Sequence, residues 1–403
     1  MASVPDVPPE GISPEWLGTE ALVDTSGVGD RERDEIRSVE AFDCMVPLPV
    51  PFQVGSSIVR SRSYALVRVR TASGAEGVGY AFGRGLPVAR IVSDALAPVL
   101  IGLDARRPEQ ARERVAGAYW PYAEQGLVAV ALSAVDLALW DILGRRAGLP
   151  LADLLGRRDD AVDACLVGGY TMVGSDPSLA ALEAEIGGFV ALGARAVKLP
   201  VGGGDPRIDG ERLRVVRSVV GDDCFIVVDA FRTFHGLDDA LARLRLLEPY
   251  GLAYLEDPFA ESLAPLAVEL RRRTSVPIGL GENLSGHRTF RALITSGAVD
   301  VVRCDATVVG GVREFMAVAA LVSAHGLQLS SHVHPEVHVQ FAAAIANRHP
   351  AGLEVMLPSS GLDGFHELTS TTLQLVDGRV RVPDRPGLGL DIDWSAVARY
   401  ARS

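Results

Sequence analysis

The sequence predicts an α/β protein, in which a (β/α)₈ barrel is joined to a smaller α+β domain. From about residue 160, short β-rich segments alternate with amphipathic helical segments. Eight such strands, each followed by a crossover, are typical of a parallel barrel rather than of a doubly wound sheet. No GxGxxG motif opens a helix after the first of these strands, which argues against a dinucleotide-binding fold.

The composition is that of a large folded protein. The chain has 403 residues, of which 48% are hydrophobic and 22% are charged, and these values exclude global disorder. The net charge of −12 argues against binding to nucleic acid or to an anionic membrane. The longest apolar segment, residues 127–140, is interrupted by Asp136 and predicts a buried helix rather than a membrane span.

Localisation is inferred from the N-terminus and the cysteines. The first residues contain neither the basic nor the apolar region of a signal peptide. The cysteines are widely separated and form no CxxC motif; they are Cys44, Cys165, Cys224 and Cys304. We therefore expect a cytoplasmic protein without structural disulfides and without a zinc site.

The first part of the chain predicts a tail followed by an α+β domain. Residues 1–36 are rich in Pro, Gly and acidic residues and predict a tail. Segments 38–45 and 63–70 have the residue pattern of strands. From residue 86 to 156 apolar residues recur every three or four positions, which predicts helices. We therefore predict a domain over residues 37–158.

The predicted barrel covers residues 159–357. Its strands are expected at residues 161–167, 194–199, 225–229, 252–256, 277–281, 299–305, 327–331 and 352–356. Its clearest helices are expected at residues 177–192, 210–220, 237–247 and 312–324. The last segment, residues 358–403, predicts a hairpin around Asp377-Gly378 and a return to the α+β domain.

Ionisable residues end successive barrel strands, where barrel enzymes carry their chemistry. They are Lys198, Asp229, Glu256, Glu282, Asp305, His332 and Glu354. One such residue proves little, because polar residues often begin loops. A residue of this kind at every strand end from the second to the eighth predicts that the side chains converge on one mouth.

Three of these residues predict a metal site. Asp229, Glu256 and Glu282 end three adjacent strands, and three convergent carboxylates require a cation to stay ionised. An all-oxygen ligand set suits Mg²⁺, with Mn²⁺ as a possible substitute, whereas zinc prefers His or Cys. The alternative is a purely structural network of charges.

Two further residues predict a general base. Asp305 and His332 end neighbouring strands, and a carboxylate beside an imidazole fixes its tautomer and raises its basicity. Most other histidines are expected to be surface or core groups. His334 and His338 follow the same strand as His332 and either line the mouth or cap a helix.

These residues resemble the enolase superfamily, specifically its mandelate racemase subgroup, over residues 38–396. The resemblance rests on the ordered combination of Ala196-Val-Lys198, Val228-Asp229, Leu255-Glu256-Asp257-Pro258, Gly281-Glu282-Asn283, Asp305 with Gly310-Gly311-Val312, Ser330-Ser331-His332 and Leu353-Glu354. It implies a capping domain over the barrel, completed by the C-terminal segment. It also implies one essential Mg²⁺, abstraction of the proton α to a carboxylate, a metal-stabilised enediolate and a homo-oligomer.

The resemblance also implies roles for individual residues. Asp229, Glu256 and Glu282 would bind the metal, and His332 with Asp305 would be the base. Lys198 would face the substrate carboxylate, and a protonated Glu354 would donate a hydrogen bond to it. Asn283 and Phe231 are expected to contact the substrate.

The sequence departs from the family pattern in two places. Pro200 stands where the second lysine of a Lys-x-Lys pair, the base for the opposite face, would stand. Phe231 stands where relatives usually have a polar residue, so that wall of the pocket is expected to be apolar. Arg303 is expected to be a partner of the carboxylates rather than a substrate contact, and Tyr170 is expected to stay out of the pocket.

The predicted function is that of a metal-dependent lyase or isomerase. The favoured reaction is dehydration of a sugar acid or a related 2-hydroxy acid through the enediolate. The alternatives are a racemase or epimerase, a lactone cycloisomerase, and a non-catalytic binding protein. Because Pro200 removes one base, we expect an enzyme specific for one α-configuration.

Overall fold

The computed structural model describes residues 33–55, 57–174 and 177–402. From Asp34 onward the chain forms one compact unit. The predicted tail, residues 1–36, lies outside the described residues as far as residue 32.

An antiparallel sheet opens the described chain. Its strands, in spatial order, are β1 (Ile36–Val54), β2 (Ser57–Thr71) and β3 (Glu76–Phe82). The middle of β2 is buried on both faces, as the consecutive buried residues Tyr64, Ala65, Leu66 and Val67 show. Buried and partly exposed residues thus alternate only near the ends of this strand.

Helices pack on one face of this sheet. They are α1 (Val88–Ile91) and α2 (Ala97–Leu100), joined by the π-helical turn Val92–Leu96, then α3 (Pro108–Tyr119), α4 (Gly126–Ala147) and α5 (Leu151–Leu154). A Cβ atom at Gly79 of β3 would lie 2.3 Å from the carbonyl oxygen of Ala134. Glycine at this position therefore allows α4 to pack directly on the strand.

Helix α4 ends at a glycine. Gly148 adopts a left-handed conformation, with φ 69°, and its N–H donates to carbonyls of the last turn. Among the described residues, α4 is the one helix long and apolar enough to cross a membrane, and most of it is buried in the protein, as expected of a core helix.

A parallel barrel follows, as predicted. Its strands are β4 (Ala161–Val167), β5 (Ala196–Pro200), β6 (Phe225–Asp229), β7 (Leu252–Glu256), β8 (Ile278–Leu280), β9 (Val301–Cys304), β10 (Gln328–Ser331) and β11 (Leu353–Val355). Hydrogen-bonded pairing runs from β4 to β10, and β11 pairs with β4 from the other side. The predicted strands agree with these to within a few residues at each end.

Helices surround the barrel. They are α6 (Leu179–Ala191), α7 (Pro206–Val220), α8 (Leu237–Leu247), α9 (Ala264–Arg271), α10 (His287–Ser296), α11 (Val312–Ala324) and α12 (Pro335–Ala342). Short 3₁₀ turns lie at Tyr122–Glu124, Glu248–Tyr250, Glu261–Leu263, Pro358–Ser360 and Phe365–Glu367. The barrel strands and the buried faces of these helices share one large hydrophobic core.

The C-terminal segment divides between the two parts of the molecule. The hairpin of β12 (Leu375–Val376) and β13 (Arg379–Arg381) forms around Asp377-Gly378 as predicted, but β13 pairs with barrel strand β4. Two other parts of the segment pack on the first sheet: Phe365 stacks on Tyr80, and the last helix, α13 (Trp394–Tyr400), places Trp394 against Phe42. The domain limits at residues 158 and 357 stay predictions.

Candidate active site

A cavity of about 810 Å³ lies at the carboxyl ends of the barrel strands. The barrel contributes Lys198, Asp229, Glu282 and His332 to its lining. The first sheet contributes the tip of the β1–β2 hairpin and the end of β3. The cavity size is that of a pocket for a small molecule.

The three predicted metal-binding carboxylates converge beside this cavity. Asp229 ends β6, Glu256 ends β7 and Glu282 follows β8. One oxygen of each lies within 4.8 Å of the others, and all three side chains are buried. No histidine or cysteine belongs to the cluster.

Two buried cations lie among these carboxylates. Lys198 Nζ lies 3.1 Å from Asp229 Oδ2, 2.8 Å from Glu256 Oε2 and 2.7 Å from Glu354 Oε1. Arg303 Nε lies 3.0 Å from Glu256 Oε1, and the same guanidinium donates to Glu354 and to Ser330 Oγ. Arg303 is fully buried, so its contacts are with the carboxylates, as expected, and not with the cavity.

The cluster fits a hard divalent cation. Within the described part of the chain, neither carboxylate oxygen of Glu256 accepts a hydrogen bond of normal geometry. Burial raises the pKa of Glu256 well above its usual range, with Asp229 and Glu354 adding to the effect, although Arg303 and Lys198 oppose it. The two buried cations therefore do not satisfy all the carboxylate oxygens of the cluster. A divalent ion that prefers oxygen ligands would supply the missing partner.

His332 and Asp305 form the predicted pair. His332 Nδ1 lies 2.8 Å from Asp305 Oδ2. Burial favours protonation of Asp305, but the hydrogen bond from His332 and the nearby His334 and His338 hold the pKa of this carboxyl below its usual range. An ionised Asp305 accepts the Nδ1 proton, and Nε2 is then left as the basic nitrogen. This nitrogen lies 3.4 Å from Glu282 Oε2, beside the metal-binding cluster.

Glu354 differs from its predicted state. Burial would raise its pKa, but Arg303, Lys198 and His332 lower it to about 2. Its other oxygen accepts the N–H of Val333 at 2.9 Å. The role of Glu354 toward the substrate stays a prediction; in this arrangement its side chain lies outside the cavity lining and pairs with Lys198 and Arg303.

Asn283 lies beside the metal-binding cluster. Its amide nitrogen lies 3.2 Å from Glu261 Oε1 and 3.3 Å from Glu282 Oε1, and the residue is not part of the cavity lining. The expectation that Asn283 contacts the substrate stays a prediction. It follows Glu282 directly, and its side chain leads to the outer Glu261 instead.

The wall of the cavity near β5 is apolar, as expected from the phenylalanine at position 231. The ring of Phe231 lies 6.2 Å from that of Tyr170, which in turn lies 5.0 Å from Phe52. Tyr170 lines the cavity, so the expectation that it stays outside is wrong. The chain turns after β4 at Gly169, which has φ 71°, and this turn carries Tyr170 to the mouth. Burial and the charge of Asp229 raise the pKa of Tyr170, so its hydroxyl is not a base.

Pro200 leaves the β5 side without a second amine. It ends β5 and its carbonyl oxygen accepts a hydrogen bond of 2.8 Å from Arg212. Lys198 is therefore the only lysine of the Lys-Leu-Pro segment. Burial lowers the pKa of Lys198, but Glu256, Glu354 and Asp229 raise it well above its usual range, so this lysine is a fixed cation.

The two other histidines after β10 have different positions. His334 lines the cavity and occupies the N-cap position of α12 with φ 49°. Burial lowers its pKa to about 3, so the imidazole is neutral. His338 is fully buried and its Nε2 accepts the N–H of Ala306 at 2.9 Å. It stabilises the loop after Asp305.

Sequence reasoning missed several cavity residues. Arg62, Arg84, Arg232 and Asp363 all line the cavity. Arg84 and Arg232 have positive φ values and lie on loops, where no periodic pattern indicates a direction. Arg62 lies on β2, and the only sequence signal was its position near the hairpin tip.

Comparison with known proteins assigns the chain to a family. The model "Mandelate racemase / muconate lactonizing enzyme, N-terminal domain" matches residues 36–156, and the model "Enolase C-terminal domain-like" matches residues 181–396. Together these two regions include the first sheet, its helices and most of the barrel. The chain therefore belongs to the mandelate racemase/muconate lactonizing enzyme family of the enolase superfamily.

Curated relatives within this family catalyse dehydration or cycloisomerisation. The 3,6-anhydro-α-L-galactonate cycloisomerase of Streptomyces coelicolor is 31% identical over 341 residues, which are 83% of this chain and 90% of that protein. The L-talarate/galactarate dehydratase of Salmonella typhimurium is 31% identical over 381 residues, 90% of each chain. The arabinonate dehydratase of Saccharolobus solfataricus is 30% identical over 340 residues, 82% of this chain and 89% of that protein.

Solved structures show the same fold. A racemase from Streptomyces coelicolor with bound magnesium has a TM-score of 0.83 and 28% identity, covering 91% of this chain and 100% of that one. The L-talarate dehydratase of Polaromonas sp. JS666, complexed with Mg and L-glucarate, has a TM-score of 0.82 and 28% identity, covering 92% and 98%. The predicted fold, a barrel with an α+β capping domain, is thus confirmed.

Proposed function

We propose that this protein is a Mg²⁺-dependent dehydratase of a sugar acid, which removes the proton α to the carboxylate and then expels the β-hydroxyl. The observation that carries the proposal is the position of the His332–Asp305 pair directly beside three converging carboxylates. Sugar-acid dehydratases among the relatives support the same class of substrate.

Asp229, Glu256 and Glu282 would hold the metal, for which Mn²⁺ is a possible substitute. Their oxygens lie within 4.8 Å of one another and are buried, which suits an ion that prefers oxygen ligands. When bound, the ion would supply positive charge next to the substrate carboxylate and so acidify the α-proton. Lys198 would add a fixed positive charge on the same side.

His332 would carry the proton through both steps. Its Nε2, with Nδ1 fixed by Asp305, takes the proton from the α-carbon and leaves the electron pair in an enediolate. The imidazolium then gives this proton to the β-hydroxyl, which leaves as water while a double bond forms between the α- and β-carbons. The resulting enol becomes a 2-oxo-3-deoxy acid.

A cycloisomerase is the second candidate. Two cycloisomerases are among the relatives, including one that is 31% identical. In that reaction His332 would act in the same way, but the leaving group would be a ring oxygen of the substrate. A racemase or epimerase is not favoured, because Pro200 leaves no second base on the β5 side.

We further propose a cytoplasmic homo-oligomer whose partner is a small carboxylate, with no role in nucleic-acid or membrane binding. The net charge of −12 supports the last part. The four cysteines are buried and unpaired, which agrees with a reducing compartment. Light scattering of the purified protein measures the oligomeric state.

A panel of sugar acids and their lactones tests the proposed function. The full chain is incubated with Mg²⁺ and each acid, with the configuration varied at the α- and β-carbons, and 2-oxo acids are detected as their semicarbazones. We expect turnover of a few related acids. Lactone isomerisation without a 2-oxo acid would favour the second candidate, and no reaction across the panel would contradict both.

A further inference from the structure

We propose that Arg62 binds a second carboxylate of the substrate, so that the substrate is an aldaric acid rather than an aldonic acid. The inference rests on the proposed function, because it names which sugar acids the same cavity accepts. The relatives include both classes, such as galactarate and arabinonate dehydratases, and do not decide between them.

Arg62 is a cation on the cavity wall. It lines the cavity, and its Nε donates to the carbonyl oxygen of Leu362 at 2.9 Å. Its Nη2 lies 3.9 Å from Met356 Sδ. Among the described residues it forms no ion pair, and the nearby Asp363 instead accepts the hydroxyl of Tyr64.

The other arginines that line the cavity are paired, and so are two arginines farther along the same strand. Arg84 lies 3.7 Å from Glu282, and Arg232 lies 3.7 Å from Asp257. On β2 itself, Arg68 and Arg70 are paired with Glu40 and Glu76. Arg62 is thus the lining arginine whose charge the protein does not neutralise.

The surroundings of Arg62 strengthen the attraction for an anion. Its guanidinium lies 5.2 Å from the ring of Phe52 and 5.7 Å from the ring of Phe82, and these rings hold the planar group in place by cation–π contacts. A guanidinium has five N–H donors, and the contacts with Leu362 and Met356 leave others free. A carboxylate matches this planar group and can accept two hydrogen bonds from it.

Arg62 lies apart from the proposed catalytic groups but in the same cavity. Phe82 stands between them, since its ring lies 6.4 Å from that of His332 and also contacts Arg62. A substrate whose first carboxylate lies at Asp229 and Lys198 would therefore present its other end to Arg62. Charge at that end distinguishes an aldarate from an aldonate of the same configuration.

Binding measurements on matched acids test the inference. In the His332→Asn background, which prevents turnover, calorimetry with Mg²⁺ compares galactarate, glucarate and mannarate with galactonate, gluconate and mannonate. We expect at least one aldarate to bind ~10-fold or more tightly than its matched aldonate, the lower end for a charge-assisted hydrogen bond. Arg62→Gln should abolish this preference, and Arg62→Lys should keep part of it.

Arg60→Gln is the matched control. Arg60 lies on the same strand but is exposed and does not line the cavity, so its replacement should leave the preference unchanged. If Arg62→Gln does not fold, the Arg62→Lys variant tests the inference instead. Lysine lacks the planar guanidinium, so aldarate binding should still weaken several-fold relative to aldonate binding.

Several results would overturn the inference. One is equal affinity for aldarate and aldonate in every pair. Another is that the Arg62 variants weaken the binding of aldarates and aldonates equally, which would mean that Arg62 only stabilises the β1–β2 hairpin. Tighter binding of phosphogluconate than of any aldarate would assign Arg62 to a phosphate instead. An Arg62-dependent aldarate preference without turnover by the wild-type protein would contradict the proposed function but support the inference.

Discussion

The ends of β10 and β5 lie on opposite sides of the same cavity, yet they carry different chemistry. At β10, His332 pairs with the ionised Asp305 and keeps a basic nitrogen toward the metal-binding cluster. At β5, Lys198 is held by three carboxylates, and Pro200 follows where a second amine would be needed. The difference teaches that a barrel can carry a nitrogen-bearing side chain at two strand ends although only one of them is suited to act as a base.

The contrast depends on what surrounds each group. An imidazole held by a carboxylate at Nδ1 keeps its other nitrogen available to take a proton and lose it again. A lysine among three buried carboxylates stays protonated, because its neutral form would leave their charges without a partner. In the proposed reaction, Lys198 would therefore stabilise charge, whereas His332 would transfer a proton.

Removal of the metal should cause the largest loss of turnover. The groups on both sides of the cavity would act on one substrate carboxylate, and the metal would hold that carboxylate in place. Chelation followed by dialysis should abolish turnover, and added Mg²⁺ should restore it. Asp229→Asn should also abolish turnover, while Asp222→Asn, in the exposed turn before the same strand, should not affect it. Full activity after chelation, with no metal found by elemental analysis, would reject the assignment of Asp229, Glu256 and Glu282.

The next largest effect is expected at β10. His332→Asn should reduce turnover by ~10² or more, the lower end for removal of a general base, and leave the thermal unfolding temperature unchanged. His325→Asn, at an exposed histidine outside the cavity, is the control. Near-normal turnover by the His332 variant would place the base elsewhere and remove the contrast between the two sides.

Asp305→Asn should act in the same direction but less strongly. An amide cannot stabilise the imidazolium, and it allows the wrong tautomer of His332, so a loss of roughly 10–100-fold is expected for this supporting group. An unchanged rate would show that Asp305 has only a structural role.

The smallest effect is expected from an added amine at β5. Pro200→Lys should introduce slow exchange of the α-proton in the epimer that the wild-type protein does not process. Pro200→Ala is the control, since it removes the ring without adding a base. Exchange of this epimer by both variants would mean that the proline ring blocks an existing base.

The sequence predicts the barrel and its strand-end residues well, because both follow from local patterns. Strands 225–229 and 252–256 agree in full with the structure, and both end in a carboxylate. Strand ends of a parallel barrel meet at one mouth, so the convergence of Asp229, Glu256 and Glu282 needs no knowledge of the loops.

The loops and the charge states could not be predicted in this way. Phe231 and Arg232 have φ values of 48° and 60°, and such turns set the direction of side chains independently of any period. The ionised state of Glu354 depends on Arg303 and Lys198, which are distant in sequence. The hairpin at residues 375–381 was local and predictable, but its pairing with β4 was not.

Proton exchange at the α-carbon tests the central claim, a single base on the β10 side, most directly. Each α-epimer of the acid that the protein turns over is incubated with the Mg²⁺-loaded wild-type protein in D₂O and followed by NMR. We predict exchange or turnover of one epimer only. Exchange in both epimers, or their interconversion, would reveal a second base and contradict the role assigned to Lys198 and Pro200.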